Sequence, residues 1–328
     1  MLECNRSDER EPHNMRMANM TKRLKTLAFK ALAFLVKNFA NRGLGKIPFA
    51  KAVYDYLYQS FGVKEVTLNV HGSKMIVRVL NNDEISCQLL FSQSGYEKYQ
   101  ASLFQKLVTE DMTVVDIGAN IGFYTLLAAK LVGTKGKVFT FEPEPQNYAL
   151  LLRNIELNGY KNVTPVRKAV SSKTGKADLF INKRTGSHGF LSDREDVIGV
   201  TTVETMSLDN YFEGKECPID IIKIDVEGSE LAVFAGMPNI IKKNGNLKIF
   251  TEFYWPRGLQ KPGFSPREYW DKIIKSGFKF IYLINERVQE LELTDLASVL
   301  KYCEYTAVAK VPSPNLLCTK VPLEVSSR

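Results

Sequence analysis

From residue 113 onward, apolar runs of strand length alternate with stretches of helical spacing, and this alternation constrains the fold more than any other feature of the 328-residue chain. The segments VVDI, KVFTFE, VTPVRKAV, IDIIKID, LKIFTEF, FKFIYLI and CEYTAVAK read as strands. Residues 122–131, 146–157, a stretch from 228 and another around 266–275 read as helices. The strand runs are continuously apolar, as expected where both faces of a sheet are covered. Elements in this order predict an α/β fold with a doubly wound, mostly parallel sheet. Ahead of it, KEVTLNV and KMIVRVL flank His71-Gly72-Ser73 and predict a β-hairpin with His71 exposed at the turn. Residues 96–108 predict a lead-in helix, and Pro312, Pro314 and Pro322 suggest a loose tail. The expected organisation is a helical extension over 1–60, hairpin and lead-in helix over 61–110, the main domain over 111–310 and a tail over 311–328.

The motif with the most chemistry is Val114-Val115-Asp116-Ile117-Gly118-Ala119-Asn120-Ile121-Gly122, followed by the helical run FYTLLAAKL. A strand ending in an acid, a glycine turn and a helix start form the architecture of a nucleotide-type cofactor site. Glycine lets the backbone turn sharply and approach a ligand. The spacing is GxxxG, not the GxGxxG of a pyrophosphate site. Asp116 at the strand end suits a cofactor with a cationic amino-acid moiety better than one presenting phosphate. The next strand ends Phe141-Glu142-Pro143, about 20 residues past the loop, where a carboxylate can accept from both ribose hydroxyls.

The blocks VDIGANIGFYTLLAA, FEPEPQNYALLLRNIELNG, LDNYF and IDIIKIDVEGSELAVFAGM, in this order and spacing across residues 95–255, resemble the FkbM family of S-adenosylmethionine-dependent methyltransferases. The resemblance implies a class I methyltransferase, Rossmann-like fold, S-adenosylmethionine (AdoMet) as cofactor, and O-methylation of a hydroxyl on a glycan, glycolipid or secondary metabolite. It implies that Asp116, Gly118, Asn120 and Gly122 cradle the methionine part, with Glu142 on the ribose. Residues around Lys168-Ala169 would lie near adenine, without the Asp or Asn often found there.

The fourth strand ends Lys223-Ile224-Asp225-Val226-Glu227-Gly228. In an open α/β sheet the reaction takes place beyond the carboxyl ends of the strands. Asp225 and Glu227 are therefore the candidate catalytic acids, one of them serving as general base on the acceptor hydroxyl. Their alternative roles are structural for Asp225 and capping of the following helix for Glu227. The pair could also take Mg²⁺, but no further ligand is evident, so no metal is assigned. Glu252 ends the fifth strand on the same edge and could orient substrate. His188, in a glycine-flanked stretch that reads first as a flexible surface loop, is the only histidine within plausible reach of the site, and Tyr254, Trp255, Tyr269 and Trp270 either wall a pocket or serve as packing.

The net charge of +8 narrows the partners, because it is unevenly spread. Residues 1–60 hold 11 basic and 5 acidic side chains, which leaves a nearly neutral body. Within the extension, residues 20–40 place Leu24, Leu27, Ala28, Ala31, Leu32, Phe34, Leu35 and Phe39 on one arc, with Arg23, Lys30 and Lys37 opposite. Lys30 keeps the apolar run below spanning length. Such a helix either lies in an anionic membrane interface or packs on the main domain. Five scattered cysteines without a CxxC pair fit a reducing compartment. The expectation is a cytoplasmic protein, peripheral at the membrane, with a hydroxyl-bearing small molecule, glycan or lipid as substrate and nucleic acid disfavoured. The competing readings are an RNA methyltransferase that uses the basic extension, and a non-catalytic AdoMet-binding protein. Against the former, no Asn/Asp-Pro-Pro-Tyr-type motif for amino-group methylation follows the fourth strand.

Overall fold

Among the described residues the strands assemble into one eight-stranded sheet, a three-stranded sheet and a separate hairpin. The computed structural model describes residues 20–21, 23–29, 31, 63–79, 84–91, 96–182, 197–253, 265–309 and 314–323. They fall into two compact units, Met1–Leu68 with Ile76–Tyr96, and Asn69–Met75 with Glu97–Arg328. In the smaller unit, residues 20–21, 23–29 and 31 are helical and Phe29 is buried. That unit also holds α1 (Glu84–Phe91). The hairpin strands are β1 (Glu65–Val70) and β2 (Ser73–Arg78), and exposed His71 occupies the turn with φ 51°.

The larger unit begins with α2 (Lys98–Leu107) and continues β3 (Thr113–Ile117), α3 (Phe123–Leu131), β4 (Lys137–Phe141), α4 (Pro145–Leu157) and β5 (Val163–Val166). Then come β6 (Ala169–Val170), β7 (Gly175–Asn182), β8 (Val197–Met206), α5 (Leu208–Tyr211), β9 (Ile221–Ile224), α6 (Glu230–Ala235), α7 (Pro238–Lys243) and β10 (Lys248–Glu252). The chain closes with α8 (Pro266–Lys275), β11 (Phe280–Asn285), β12 (Glu290–Leu293), α9 (Leu296–Ala309) and β13 (Asn315–Thr319). The main sheet runs β12-β11-β13-β10-β9-β3-β4-β5. From β5 to β10 every pairing is parallel, whereas β13 lies antiparallel to both β10 and β11. Strand order proceeds outward from β3 through β4 to β5, then resumes on the other side at β9. With right-handed crossovers that reversal puts helices on opposite faces and opens a crevice at the carboxyl ends of β3 and β9.

Continuous burial explains why the parallel strands read as apolar runs: every residue of β3 and β9 is buried. The core they share includes Val115, Ile117, Phe141, Ile222, Ile224, Phe234 and Ile249.

Three element readings are corrected. VTPVRKAV is not one strand: β5 ends at Val166, and Ala169–Val170 pairs instead with β8 in the small sheet. CEYTAVAK is not a strand, because its residues through Ala309 continue α9. The last strand is Asn315–Thr319, inside the stretch read as tail; all five residues are buried. Tyr269 and Trp270 are packing residues of the core. His188, Tyr254 and Trp255 lie outside the described residues.

Candidate cofactor and active site

The loop after β3 is fixed from three directions. The backbone N–H groups of Gly118 and Ala119 both donate to the Phe141 carbonyl, at 2.9 and 3.0 Å, which ties the loop to the end of β4. The Asn120 N–H donates to Glu142 Oε2 at 2.7 Å. Asn154 on α4 donates to the Ile121 carbonyl at 2.8 Å. Gly118, Asn120 and Gly122 all have positive φ, of 82°, 51° and 98°. At Gly118 the reason is also steric, since a Cβ there would sit 1.8 Å from the backbone oxygen of Asp225. The loops after β3 and β9 are thus in backbone contact.

Asp116 lies beneath this loop. It is buried, and Oδ2 accepts from the Thr125 hydroxyl at 2.6 Å, which also meets Thr140 at 2.8 Å. Burial raises its carboxyl to about 6. Glu142 is buried as well, and its Oε1 accepts from the Glu144 N–H at 2.9 Å. Burial outweighs these hydrogen bonds and raises it to about 7.

Across the crevice, the Lys223 ammonium donates to Asp225 Oδ2 at 3.0 Å; the lysine is 1% exposed and Asp225 partly open to solvent. Burial alone would lower the lysine, but Asp225 and Glu97 outweigh it and hold the ammonium above its ordinary range. Glu227 and Gly228 take positive φ of 53° and 98° in a tight turn. Glu230 spans this turn: its Oε1 accepts from the N–H groups of Val226 and Gly228 at 3.3 and 3.2 Å. Helix α6 begins at Glu230 with Ser229 at its N-cap, so Glu227 does not cap it. Asp225, Glu227 and Glu252 each bring a carboxylate oxygen within 4.8 Å of the others. Three carboxylates can hold a hard divalent cation, although Lys223 already serves Asp225. Burial, then Asp225 and Glu230, push Glu252 well above its ordinary value.

Glu230 gives a sharp pH test. It is fully buried, and burial raises its carboxyl from 4.5 to about 7. The folded state therefore holds a proton that the unfolded state releases between these values. Its contribution to stability is present below pH 4.5 and is lost as pH rises to 7. Asp116 and Glu142 act with the same sign. Glu230→Gln keeps an acceptor for both N–H groups and removes the buried charge. It should raise stability at pH 8 by about 3 kcal/mol and at pH 5 by less than about 1 kcal/mol. Urea melts at both pH values test this; an equal effect at each would contradict the assignment.

Sequence reasoning thus placed Gly118, Asn120, Gly122, Asp116 and Glu142 around one loop and Asp225 and Glu227 on the neighbouring one. It missed Glu97, Lys223 and Glu230. A lysine inside an apolar four-residue strand was the available signal for Lys223; Glu97 and Glu230 have no local one.

A parallel sheet that reverses at β3, an antiparallel β13 beside β10, and acids past β3, β4 and β9 around a glycine turn define a class I AdoMet-dependent methyltransferase. The methyltransferase FkbM domain matches residues 116–281, half of the chain. The protein belongs to the FkbM methyltransferase family, and its cofactor is AdoMet. The chain is 33% identical over 136 residues to the hexuronic acid methyltransferase AglP of Haloferax volcanii, covering 40% of this chain and 53% of that protein. It is 28% identical over 155 residues to the methyltransferase sdnD of Sordaria araneosa, covering 38% and 60%. The chain thus spans little more than half the length of these relatives. The crystal structure of methyltransferase FkbM from Methylobacillus flagellatus aligns with a TM-score of 0.38 at 14% identity, over 67% of this chain and 51% of that one.

The site's residues fit the cofactor on chemical grounds. A glycine turn brings backbone close to the ligand position, Glu142 offers carboxylate oxygens past β4, and Asp225 and Glu97 supply negative charge for a cationic ligand.

Proposed function

We propose that the protein is an AdoMet-dependent O-methyltransferase acting on a hydroxyl of a glycan, glycolipid or secondary metabolite. The observation that carries this reading is the acid set Asp225, Glu227 and Glu252 gathered on the sheet edge beside the cofactor loop. A hydroxyl must lose its proton as it is methylated, and a carboxylate at that edge can take it. The hexuronic acid substrate named for the Haloferax relative supports a sugar acceptor.

In this reading Gly118, Asn120 and Gly122 hold the methionine part from the loop, with Asp116 bracing them from beneath through Thr125. Glu142 holds the ribose. The bound cofactor supplies a sulfonium-activated methyl group. Lys223 occupies Asp225 Oδ2, which leaves Oδ1 to accept the acceptor's proton. Glu227, presented by the turn that Glu230 ties, orients the hydroxyl. Correct placement of the oxygen is the larger part of the task.

Location at a membrane surface belongs to the same proposal. Met20, Leu24 and Leu27 are 52%, 59% and 67% exposed, and with exposed Ala31 they fall within about 60° of one helix face. Exposed Arg23 borders that stripe, whereas Phe29 points the opposite way and is buried. Apolar burial bordered by a cation suits anionic headgroups. Among the described residues no helix is long and apolar enough to cross a membrane.

One experiment tests both parts. Protein is incubated with methyl-labelled AdoMet and fractionated lysate, with and without phosphatidylserine vesicles that are then pelleted. Label is expected in a glycan, glycolipid or small-molecule fraction and to fall about 10²-fold or more in Asp225→Ala. The protein is expected in the vesicle pellet, released by Leu24→Asp with Leu27→Asp. Label in RNA would overturn the acceptor class, and full activity in Asp225→Ala the proton acceptor. Equal pelleting of the double variant would overturn the membrane contact.

A further inference from the structure

Glu97 stands at the start of α2, outside every loop assigned above, yet faces the same crevice. We propose that its carboxylate binds the α-ammonium of the cofactor's methionine part, completing the site on the side opposite Glu142. The inference rests on the AdoMet reading and adds a residue to it.

Glu97 is not needed by its own helix. Glu286 caps α2 instead, accepting from the Tyr99 and Gln100 N–H groups at 2.9 and 2.6 Å. The Glu97 side chain is held elsewhere: Oε2 accepts from the Tyr124 hydroxyl and from Gln100 Nε2, both at 2.7 Å. Among the described residues Oε1 takes no hydrogen bond. The amide beside it is equally incomplete, since Gln100 is fully buried and its Oε1 has no hydrogen-bond partner among the described residues. The unoccupied oxygen of Glu97, next to a glutamine whose own amide oxygen has no partner among the described residues, offers the kind of acceptor an ammonium requires.

The neighbours place Glu97 at the amino-acid end of the ligand. Tyr124 is two residues past Gly122 and lies with its ring 5.1 Å from Lys223 Nζ. Lys223 in turn holds Asp225, whose backbone abuts Gly118. These contacts put Glu97 on the β9 side of β3, whereas Glu142 lies on the β4 side. A ligand with its ribose at Glu142 crosses the Gly118 loop and ends near Glu97. Among the described residues Glu97, Asp116, Asp225 and Glu252 all draw on the Lys223 ammonium, so a further cation is electrostatically favoured. Burial, the largest effect, and Asp225 raise the Glu97 carboxyl above its ordinary value, and a bound ammonium would reverse that.

The test compares ligands that differ in the group in question. AdoMet and its neutral-sulfur counterpart S-adenosylhomocysteine carry the amino-acid chain; 5′-methylthioadenosine, also a neutral thioether, lacks it and keeps the ribose and adenine. Calorimetric titration of the full chain should show Glu97→Gln weakening both AdoMet and S-adenosylhomocysteine at least tenfold while leaving 5′-methylthioadenosine within twofold. Glu97→Asp keeps the charge but shortens its reach, and should also weaken AdoMet selectively; it decides the matter if the glutamine variant fails to fold. Equal losses for all three ligands would mean a structural role and overturn the proposal, as would unchanged AdoMet affinity. Wild-type protein that binds 5′-methylthioadenosine but not AdoMet overturns it too. Failure to bind any of the three overturns the cofactor site itself.

Discussion

Gly118→Ala is expected to destabilise the protein by about 3 kcal/mol or more and to abolish cofactor binding. Two costs coincide at this residue. Its φ of 82° is one that L side chains rarely adopt. The added methyl would also lie 1.8 Å from the Asp225 carbonyl oxygen and 2.8 Å from its carbon. The obstacle is backbone, held by the Asp225 N–H bond to the Ile117 carbonyl at 3.0 Å, so it cannot turn aside as a side chain would. Gly159→Ala is the matched control: its φ is 66°, but nothing lies within 4 Å of the added methyl. The conformational cost alone should be about 1 kcal/mol. Urea denaturation of both variants separates the two contributions. Equal losses would mean that the loops after β3 and β9 do not approach as described.

Lys223→Met should cost about 3–5 kcal/mol at pH 8, the loss expected when one partner of a buried ion pair is removed. Methionine fills most of the lysine's volume, so the loss is electrostatic in origin. Without the ammonium, Asp225 has no cation in contact among the described residues, and Glu97, Asp116 and Glu252 lose the charge that attracts them. Acidification should relieve the deficit, because a protonated carboxyl needs no counter-ion. The variant is therefore expected to lose much less at pH 5 than at pH 8. A loss independent of pH would point to packing and sink the electrostatic account.

The parts of the site legible in the sequence are those whose signal is local. Asp116 and Gly118 are two residues apart, and Glu142 follows a strand of visible length. The two carboxylates of the IDVEG segment are likewise two residues apart in the chain. Lys223, Glu97 and Glu230 act through partners that only the fold supplies. Glu97 meets Tyr124 across 27 residues and lies beside Lys223 across 126, and nothing in YEKYQ marks it apart from an ordinary helix start. The strand error near the end of the chain has a similar cause. The β-branched and aromatic residues of CEYTAVAK favour a strand locally, but they continue α9. NLLCT is short and close to prolines, and becomes a central strand because β10 and β11 both pair with it.

That late strand bears on how the protein comes off the ribosome. Synthesis is vectorial, and β10 and β11 emerge well before residues 315–319. Until β13 arrives, two apolar strands wait with unpaired backbone edges, and such edges recruit other chains. The half of the sheet beyond β10 can close only after Thr319 has cleared the exit tunnel, whereas β3, β4, β5, β9 and β10 can already be paired. A nascent chain stalled between α9 and β13 would thus have its cofactor loops in place and a sticky flank.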